Sequence, residues 1–473
     1  MNRFLLVSLL SVSILGGCAS NTVAVKKDDQ GSLAFLEHFP KQGSELPYSV
    51  LRDDLVDAKT NQTFEIRNGG FGSAMTSHPS KVNQFYALTG RGPNANYTSD
   101  YGKGKSFPVA SYTPRIGLFE VATDGTISLV ESILLKRPDG GLISGLPNTS
   151  ALGGTGETPY HSNGKPVLVN DSQPYDKTTN PIKLDDYGLD GEGLVALKDG
   201  TFWVSDEYGP HIVHFDADGV ELGRINSFKN DERDVFHLPA VFQYRRANRG
   251  MEGLAITPDE NTLVGIMQST MANPNKAAQK SDITRIVTVN LESGETEQYL
   301  YRQEKAENAN SEISTLTANK FLVIERDGSF LLGGPAKANP NAQKQVYRID
   351  LTTGTPLSKI ASSSSVVRDE NHGLMIEGLT LEQYVVKNGW DALAQKGIQP
   401  VDKTLVIDMV KEVAYPHDKM EGLWIIDEHH LGVLNDDDFA TWSTKGKLEQ
   451  KYLDANTVDS NQLYIIKADL MGK

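Results

Sequence analysis

The sequence predicts an all-β protein, a β-propeller of six or seven blades with long loops and a small helical insertion. Three observations predict it. A Glu-Gly-Leu triplet recurs at Glu192-Gly193-Leu194, Glu252-Gly253-Leu254, Glu377-Gly378-Leu379 and Glu421-Gly422-Leu423, with a relative at Glu312-Ile313-Ser314. Glu192, Glu252 and Glu312 stand 60 residues apart, and a fixed period of this size marks a stacked or radial repeat. Between the triplets lie short β-rich runs bounded by Asp-Gly pairs, which tolerate the backbone angles of tight hairpins.

Taken in order, the chain opens on Asn2-Arg3 and an apolar run from Phe4 to Leu15, followed by Leu15-Gly16-Gly17-Cys18. A basic start, a short apolar stretch and small residues form a secretory signal, so residues 1–17 are excluded from the fold. The segment also resembles the bacterial lipobox, in which Cys18 becomes the lipidated N-terminus. That predicts a lipid-anchored protein of the cell envelope. In a cell with two membranes, Ala19 gives no Asp-type retention signal, and the outer membrane is the expected site. Cys18 is the only cysteine, which excludes an intrachain disulfide. Residues 18–45 read as lipidated N-terminus and polar tether, and 46–473 as the propeller domain.

Strands are expected at Thr201–Ser205, His211–Phe215, Arg285–Val289, Phe321–Ile324, Gln345–Ile349, Leu423–Ile426 and Leu463–Ile466. Hairpin turns are expected at Asp124-Gly125, Asp199-Gly200, Asp218-Gly219 and Asp327-Gly328. From Ser73 to Glu192 is 119 residues, close to two further periods, hence the six or seven blades. Residues 140–184 are rich in Gly, Pro, Asn and Asp and read as long surface loops. Thr380 to Lys396 carries Leu381, Tyr384, Val385 and Leu393 at spacing that suits an inserted helix. Glu377 leads into that helix and breaks the period, so it reads as coincidence.

The net charge is −15, which argues against nucleic acid as a partner. The acids are not scattered. Glu192, Glu252, Glu312 and Glu421 each begin a repeat, and three are followed after one strand by a second acidic cluster. These are Asp206-Glu207, Glu325-Arg326-Asp327 and Asn435-Asp436-Asp437-Asp438. At comparable strand ends they would face one mouth of the central channel. Calcium takes six to eight oxygens in flexible geometry, and a ring of carboxylates without cysteine favours it over zinc. Glu192, Glu207, Glu252, Glu312, Glu325, Glu421, Asp436 and Asp438 are the candidate ligands. Arg91, Arg249 and Arg326 accompany them, and a planar guanidinium binds phosphate through two hydrogen bonds. The expected partner is therefore a small anionic ester.

Other motifs are absent or spurious. No Gly-x-Ser-x-Gly nucleophile elbow occurs. Gly104-Lys105-Ser106 imitates the end of a phosphate-binding loop, but Ser99 stands where the first glycine is required. Asp216-Ala217-Asp218-Gly219 starts like a calcium loop without its closing Glu, and reads as a hairpin turn. His429-His430 lacks a second cluster at metal spacing.

The stretches Asp190–Leu194 with Thr201–Pro210, Asn248–Ala255, Ser311–Ser314 with Phe321–Asp327, and Glu421–Leu423 with Asn435–Phe439 together resemble the phytase-like family, described as having esterase-like activity of phytase. The resemblance runs from about Gly69 to the C-terminus. It implies a propeller and hydrolysis of esters, including phosphoesters, with divalent-metal help. The chain departs from the family pattern at Gly90, which precedes Arg91-Gly92 where an Asp is expected, and at Asp436-Asp437-Asp438-Phe439, in place of Asp-Asn-Asp-Phe. The leading expectation is an envelope-anchored, calcium-dependent phosphoric-ester hydrolase. A metal-dependent lactonase or carboxylesterase, or a non-catalytic binding lipoprotein, are the alternatives.

Overall fold

The structure, a computed structural model, describes residues 33–57, 59–444 and 446–472. The signal segment and Cys18 lie outside the described residues. All seven expected strands are present within two residues of their predicted limits.

Five sheets of four or five strands form the blades. Blade I is Ala74–Ser77, Gln84–Leu88, Arg115–Val121 and Ile127–Leu134. Blade II is Gly191–Ala196, Phe202–Asp206, Ile212–Phe215 and Glu221–Asn226, edged by Asp234–His237. Blade III is Met251–Ile256, Thr262–Met267, Ile283–Asn290 and Thr296–Arg302. Blade IV is Ala309–Thr315, Lys320–Arg326, Lys344–Asp350 and Asp402–Asp408. Blade V is Gly422–Ile425, His430–Leu434 and Gln462–Lys467, completed by Ser44–Glu45 from the other end of the chain.

Side-chain packing shows how the blades close on each other. Leu88, Ile116, Leu194 and Val204 join I to II; Trp203, Ile212, Leu254 and Val287 join II to III. Val264, Ile286, Ile313 and Val323 join III to IV, and Ile324, Val346, Leu423 and Leu431 join IV to V. Phe85, Phe119, Trp424 and Leu434 then join V back to I. Five apolar seams between five blades make a ring, held by burial of side chains rather than by a continuous ladder.

The expected count of six or seven is thus corrected to five among the described residues. The period of 60 is real for blades II to IV, but the two long intervals hold insertions instead of extra blades. Between the second and third strands of blade I, Ala95–Ser99 and Gly102–Phe107 form a hairpin, extended in parallel by Thr158–His161. We call this sheet the flap. Blade IV carries the second insertion, three short strands and a helix at Leu381–Ala394. The helix starts at a capping box in which Gln383 donates its N–H to Thr380 Oγ1 and takes the Thr380 N–H on Oε1, satisfying two orphan donors reciprocally. It buries Leu381, Tyr384, Val385 and Leu393, the apolar set named from the sequence. Glu377 is exposed and pairs with Lys396, consistent with its reading as coincidence.

Two boundaries move. Phe35 is buried and stacks on Trp424 at 5.9 Å, and Ser44–Glu45 pairs with the last strand of blade V. The packed domain therefore begins before residue 46. The Asp199-Gly200 turn closes a hairpin as expected, with Gly200 at φ +90°. Asp327-Gly328 does not. It opens a long loop in which Lys344 Nζ binds Asp327, because the next strand starts only at Lys344.

Candidate functional site

The inner strands of blades II and III each begin with a β-bulge. Gly191 pairs with Asp206 and Gly193 with Ser205, leaving Glu192 as the extra residue. Met251 pairs with Met267 and Gly253 with Ile266, leaving Glu252 extra. A bulge re-aims a side chain that regular alternation would send elsewhere. Both carboxylates lie close enough to affect each other's ionisation, so the repeat does bring them to the same end of the axis.

Blade IV breaks this equivalence by one residue. There Asn310 pairs with Glu325 and Glu312 with Ile324, so Ser311 occupies the bulge and Glu312 stands where blades II and III carry Gly193 and Gly253. A Cβ on Gly253 would come within 2.5 Å of the Ile313 nitrogen, which shows how tightly the strands approach at this level. Glu312 instead reaches across the axis. It takes the N–H of its neighbour Ile313 at 2.8 Å, and the N–H groups of Met75 in blade I and Leu254 in blade III also favour its charged form. Burial nevertheless pushes its carboxyl well above the ordinary range.

Above this level lies a cavity of about 520 Å³. Glu192, Glu207, Asp436, Asp438, Arg91, Arg249 and Arg326 all line it, as seven of the predicted site residues. Glu192 and Glu207 meet Asp190, and one oxygen from each of the three buried carboxyls lies within 4.8 Å of the others. Burial comes first, and the neighbouring Glu252 and Asp190 next, in pushing Glu192 and Glu207 well above the ordinary carboxylate range. Neither makes an ion pair among the described residues. Three hard oxygen donors, two of them without a protein cation, fit a divalent ion such as calcium or magnesium.

Arg91 engages both oxygens of Asp190. Asp190 accepts the Arg91 backbone N–H at 2.9 Å and faces Arg91 Nε at 3.1 Å. Arg91 also donates to Asn248 Oδ1 at 3.1 Å and lies 3.6 Å from Glu157. Gly90 sits beside this group. A Cβ there would lie 3.0 Å from Asp190 Oδ1 and Ser73 Oγ, and 3.6 Å from Glu192 Oε1. An Asp at this position would thus send its carboxyl into the trio, and the chain has three acids where the resemblance implies four.

The opposite wall belongs to blade V and already holds its own cations. Lys419 Nζ bridges Asp436 and Asp438 at 2.7 Å each, and Lys451 Nζ reaches Asp438 at 2.8 Å. The two lysines hold Asp438 well below its ordinary value despite burial, whereas burial pushes Asp436 up to about 7. Asp436 and Asp438 therefore line the cavity as partners of lysines. Arg326 pairs with Glu421, so a predicted substrate contact and a predicted ligand neutralise each other.

Two further acids are set apart. Glu252 accepts a hydrogen bond from Gln268, and burial with Glu421 nearby pushes it up to about 8. Glu325 does not line the cavity. It is fully buried among Tyr301 Oη at 2.8 Å, Asn308 Nδ2 at 2.7 Å and Lys403 Nζ at 2.7 Å. Strand alternation explains the difference: Arg326, the next residue, points to the cavity, and Glu325 must point away.

Sequence reasoning missed Asp190, Lys105, Asp418 and Lys419, which all line the cavity. Asp190 was in view two residues before Glu192, and its signal was proximity to the bulge. Lys105 was set aside with a false phosphate-loop match, and no local pattern marks a flap residue that meets the site only in three dimensions.

Comparison with known proteins gives one curated relative, an uncharacterised secreted protein of Arthroderma benhamiae, 27% identical over 293 residues. The match takes in 51% of this chain and 55% of that protein, so the chain spans about half the length of its relative. Among solved structures, similarity is found to the PQQ-bound aldose sugar dehydrogenase of Streptomyces coelicolor, with 10% identity, TM-score 0.29 and coverage of 90% and 99% of the two chains. Virginiamycin B lyase of Staphylococcus aureus gives 10% identity, TM-score 0.27 and coverage of 90% and 96%. The fold reading rests on the blade order above. Over residues 66–439, spanning all five inner strands and most of the cavity lining, the sequence matches the profile described as esterase-like activity of phytase, and the chain belongs to this phytase-like family.

Proposed function

We propose that the protein is a divalent-cation-assisted ester hydrolase acting on phosphoric esters, with calcium as the resident ion. One observation carries the reading. Asp190, Glu192 and Glu207 are buried and mutually close, and the last two lack a protein cation, at the floor of a cavity whose other groups include Arg91, Lys105 and Arg249. Clustered carboxylates repel each other, and a bound cation removes that penalty. Asp190, Glu192 and Glu207 would hold it, and the ion would supply Lewis-acid polarisation of the ester. Arg91 orients Asp190 through the paired contact, and Arg249 stands ready for substrate oxygens. Lys419 and Lys451 fix the opposite wall, so its carboxylates do not compete for the ion.

Hydrolysis of p-nitrophenyl phosphate with calcium, and its loss with chelator, tests the reading. Glu192→Gln should lower turnover at least tenfold. Turnover indifferent to chelator, or opening of lactones alone, would refute it. The three-carboxylate site left by Gly90 favours a second reading, a propeller that binds its ligand without turning it over. Saturable phosphate binding with no hydrolysis at any divalent ion would establish that reading instead.

We further propose an envelope location through lipid on Cys18, motivated by Leu15-Gly16-Gly17-Cys18 and in keeping with the secreted label of the fungal relative. Cys18→Ser should release the protein from the membrane fraction. An unmodified Cys18 in the processed wild type would end the proposal.

A further inference from the structure

Five cationic side chains line the cavity, and three have partners. Arg91 is held by Asp190, Arg326 by Glu421, and Lys419 by Asp436 and Asp438. Lys105 and Arg249 make no side-chain hydrogen bond or ion pair among the described residues. They come from different places: Arg249 precedes the inner strand of blade III, while Lys105 belongs to the flap.

The flap is built to hold Lys105 in place. Gly102–Phe107 is its middle strand, with Ala95–Ser99 on one side and Thr158–His161 on the other, and Lys105 pairs opposite Asn96 and Pro159. At Gly104 the strands approach so closely that a Cβ would fall 1.8 Å from the Thr158 carbonyl oxygen. A residue on such a strand is positioned by backbone pairing on both edges, unlike a surface lysine on a free loop. The Lys105 ammonium is half-buried and has no hydrogen-bonded partner, and an anionic ligand would offset the cost of its partial desolvation. Burial first and Arg91 second lower the Lys105 ammonium to about 8, while the charges of Glu157, Glu207 and Asp190 act the other way.

We propose that Lys105 is a specificity-determining residue of this cavity, taking with Arg249 a doubly charged phosphoryl group of the substrate beside the three carboxylates. The inference deepens the phosphoric-ester reading and rests on it for the substrate class. The flap is then the element that selects an anionic ester over a neutral one. A lysine suits the task as a compact point charge, and the guanidinium of Arg249 as a planar two-pronged donor.

Titration calorimetry of the full chain with inorganic phosphate, with calcium and with chelator, tests the proposal. Lys105→Met should weaken phosphate binding at least tenfold, and Lys105→Arg should retain affinity within about threefold, which excludes a merely structural role. For esters, Lys105→Met should raise KM for p-nitrophenyl phosphate and leave that for p-nitrophenyl butyrate unchanged. Phosphate affinity equal in wild type and Lys105→Met, with unfolding temperature unchanged, would overturn the inference. The two failures are distinguishable. Loss of calcium-dependent turnover in the wild type strikes the hydrolase reading, while phosphate binding still reports on Lys105.

Discussion

Gly90 is one residue whose missing side chain has a calculable effect. Its Cβ position faces Asp190 Oδ1, Ser73 Oγ and Glu192 Oε1, and its backbone is not in the left-handed region. Gly90→Asp would therefore place a fourth carboxyl in the trio after a shift of a few tenths of an ångström. Without metal the variant should melt lower than wild type, because another charge is buried beside like charges. With calcium it should melt higher, and bind the ion about tenfold more tightly, worth about 1.4 kcal/mol. Calorimetric titration and thermal unfolding with and without calcium check both signs. At this scale the sequence was partly legible. Glu192 and Glu207 are where the repeat puts them, but Glu312 differs because a bulge one residue out of step is invisible in a spacing of 60. Glu325 differs because the strand sends adjacent residues to opposite faces.

Among the elements, the insertions decide what the repeat means. The flap and the helix at Leu381–Ala394 fill sequence that spacing alone converts into blades, although the helix itself was readable from its apolar positions. The short N-terminal segment was missed. Polar and without periodicity, it reads as a tether, yet Phe35 anchors it by stacking on Trp424. Leu33, Phe35, Leu36 and Phe39 form a short apolar run within that stretch and all pack on the core that joins blades V and I, a signal that the tether reading passed over. Phe35→Ala should destabilise the protein by about 3–5 kcal/mol if its pocket cannot collapse. Chemical denaturation measures this, and a change within 0.5 kcal/mol would show that blade V closes without it.

For the whole molecule, the buried acids make stability depend on pH and metal together. Glu252 is pushed up to about 8 and Asp206 to about 7, chiefly by burial. An acid with a raised pKa binds more protons folded than unfolded between its two pKa values. The slope of unfolding free energy with pH is then negative across that range. The metal-free protein should accordingly lose stability as pH rises from about 4.5 to 8, and calcium should flatten the share of that decline due to Glu192 and Glu207, which burial also raises. Melting curves at pH 5, 6, 7 and 8, with chelator and with calcium, give the comparison; a metal-free optimum at pH 8 would contradict it. The acids therefore have two means of neutralisation, protons and a cation, and their clustering alone did not distinguish these in the sequence.

The strand Ser44–Glu45 in blade V sets an order of events during synthesis. Ser44 leaves the ribosome long before its partner Leu463, which lies 419 residues further on. Blades I to IV can form their own meanders as they emerge, whereas the fifth must wait for Gln462–Lys467. Until then the apolar edges of blades I and IV lack their neighbour, and closing so distant a contact is slow. The ring is consequently shut by two segments far apart in sequence, after its other blades, and only then does the cavity acquire the wall that carries Lys419, Asp436 and Asp438.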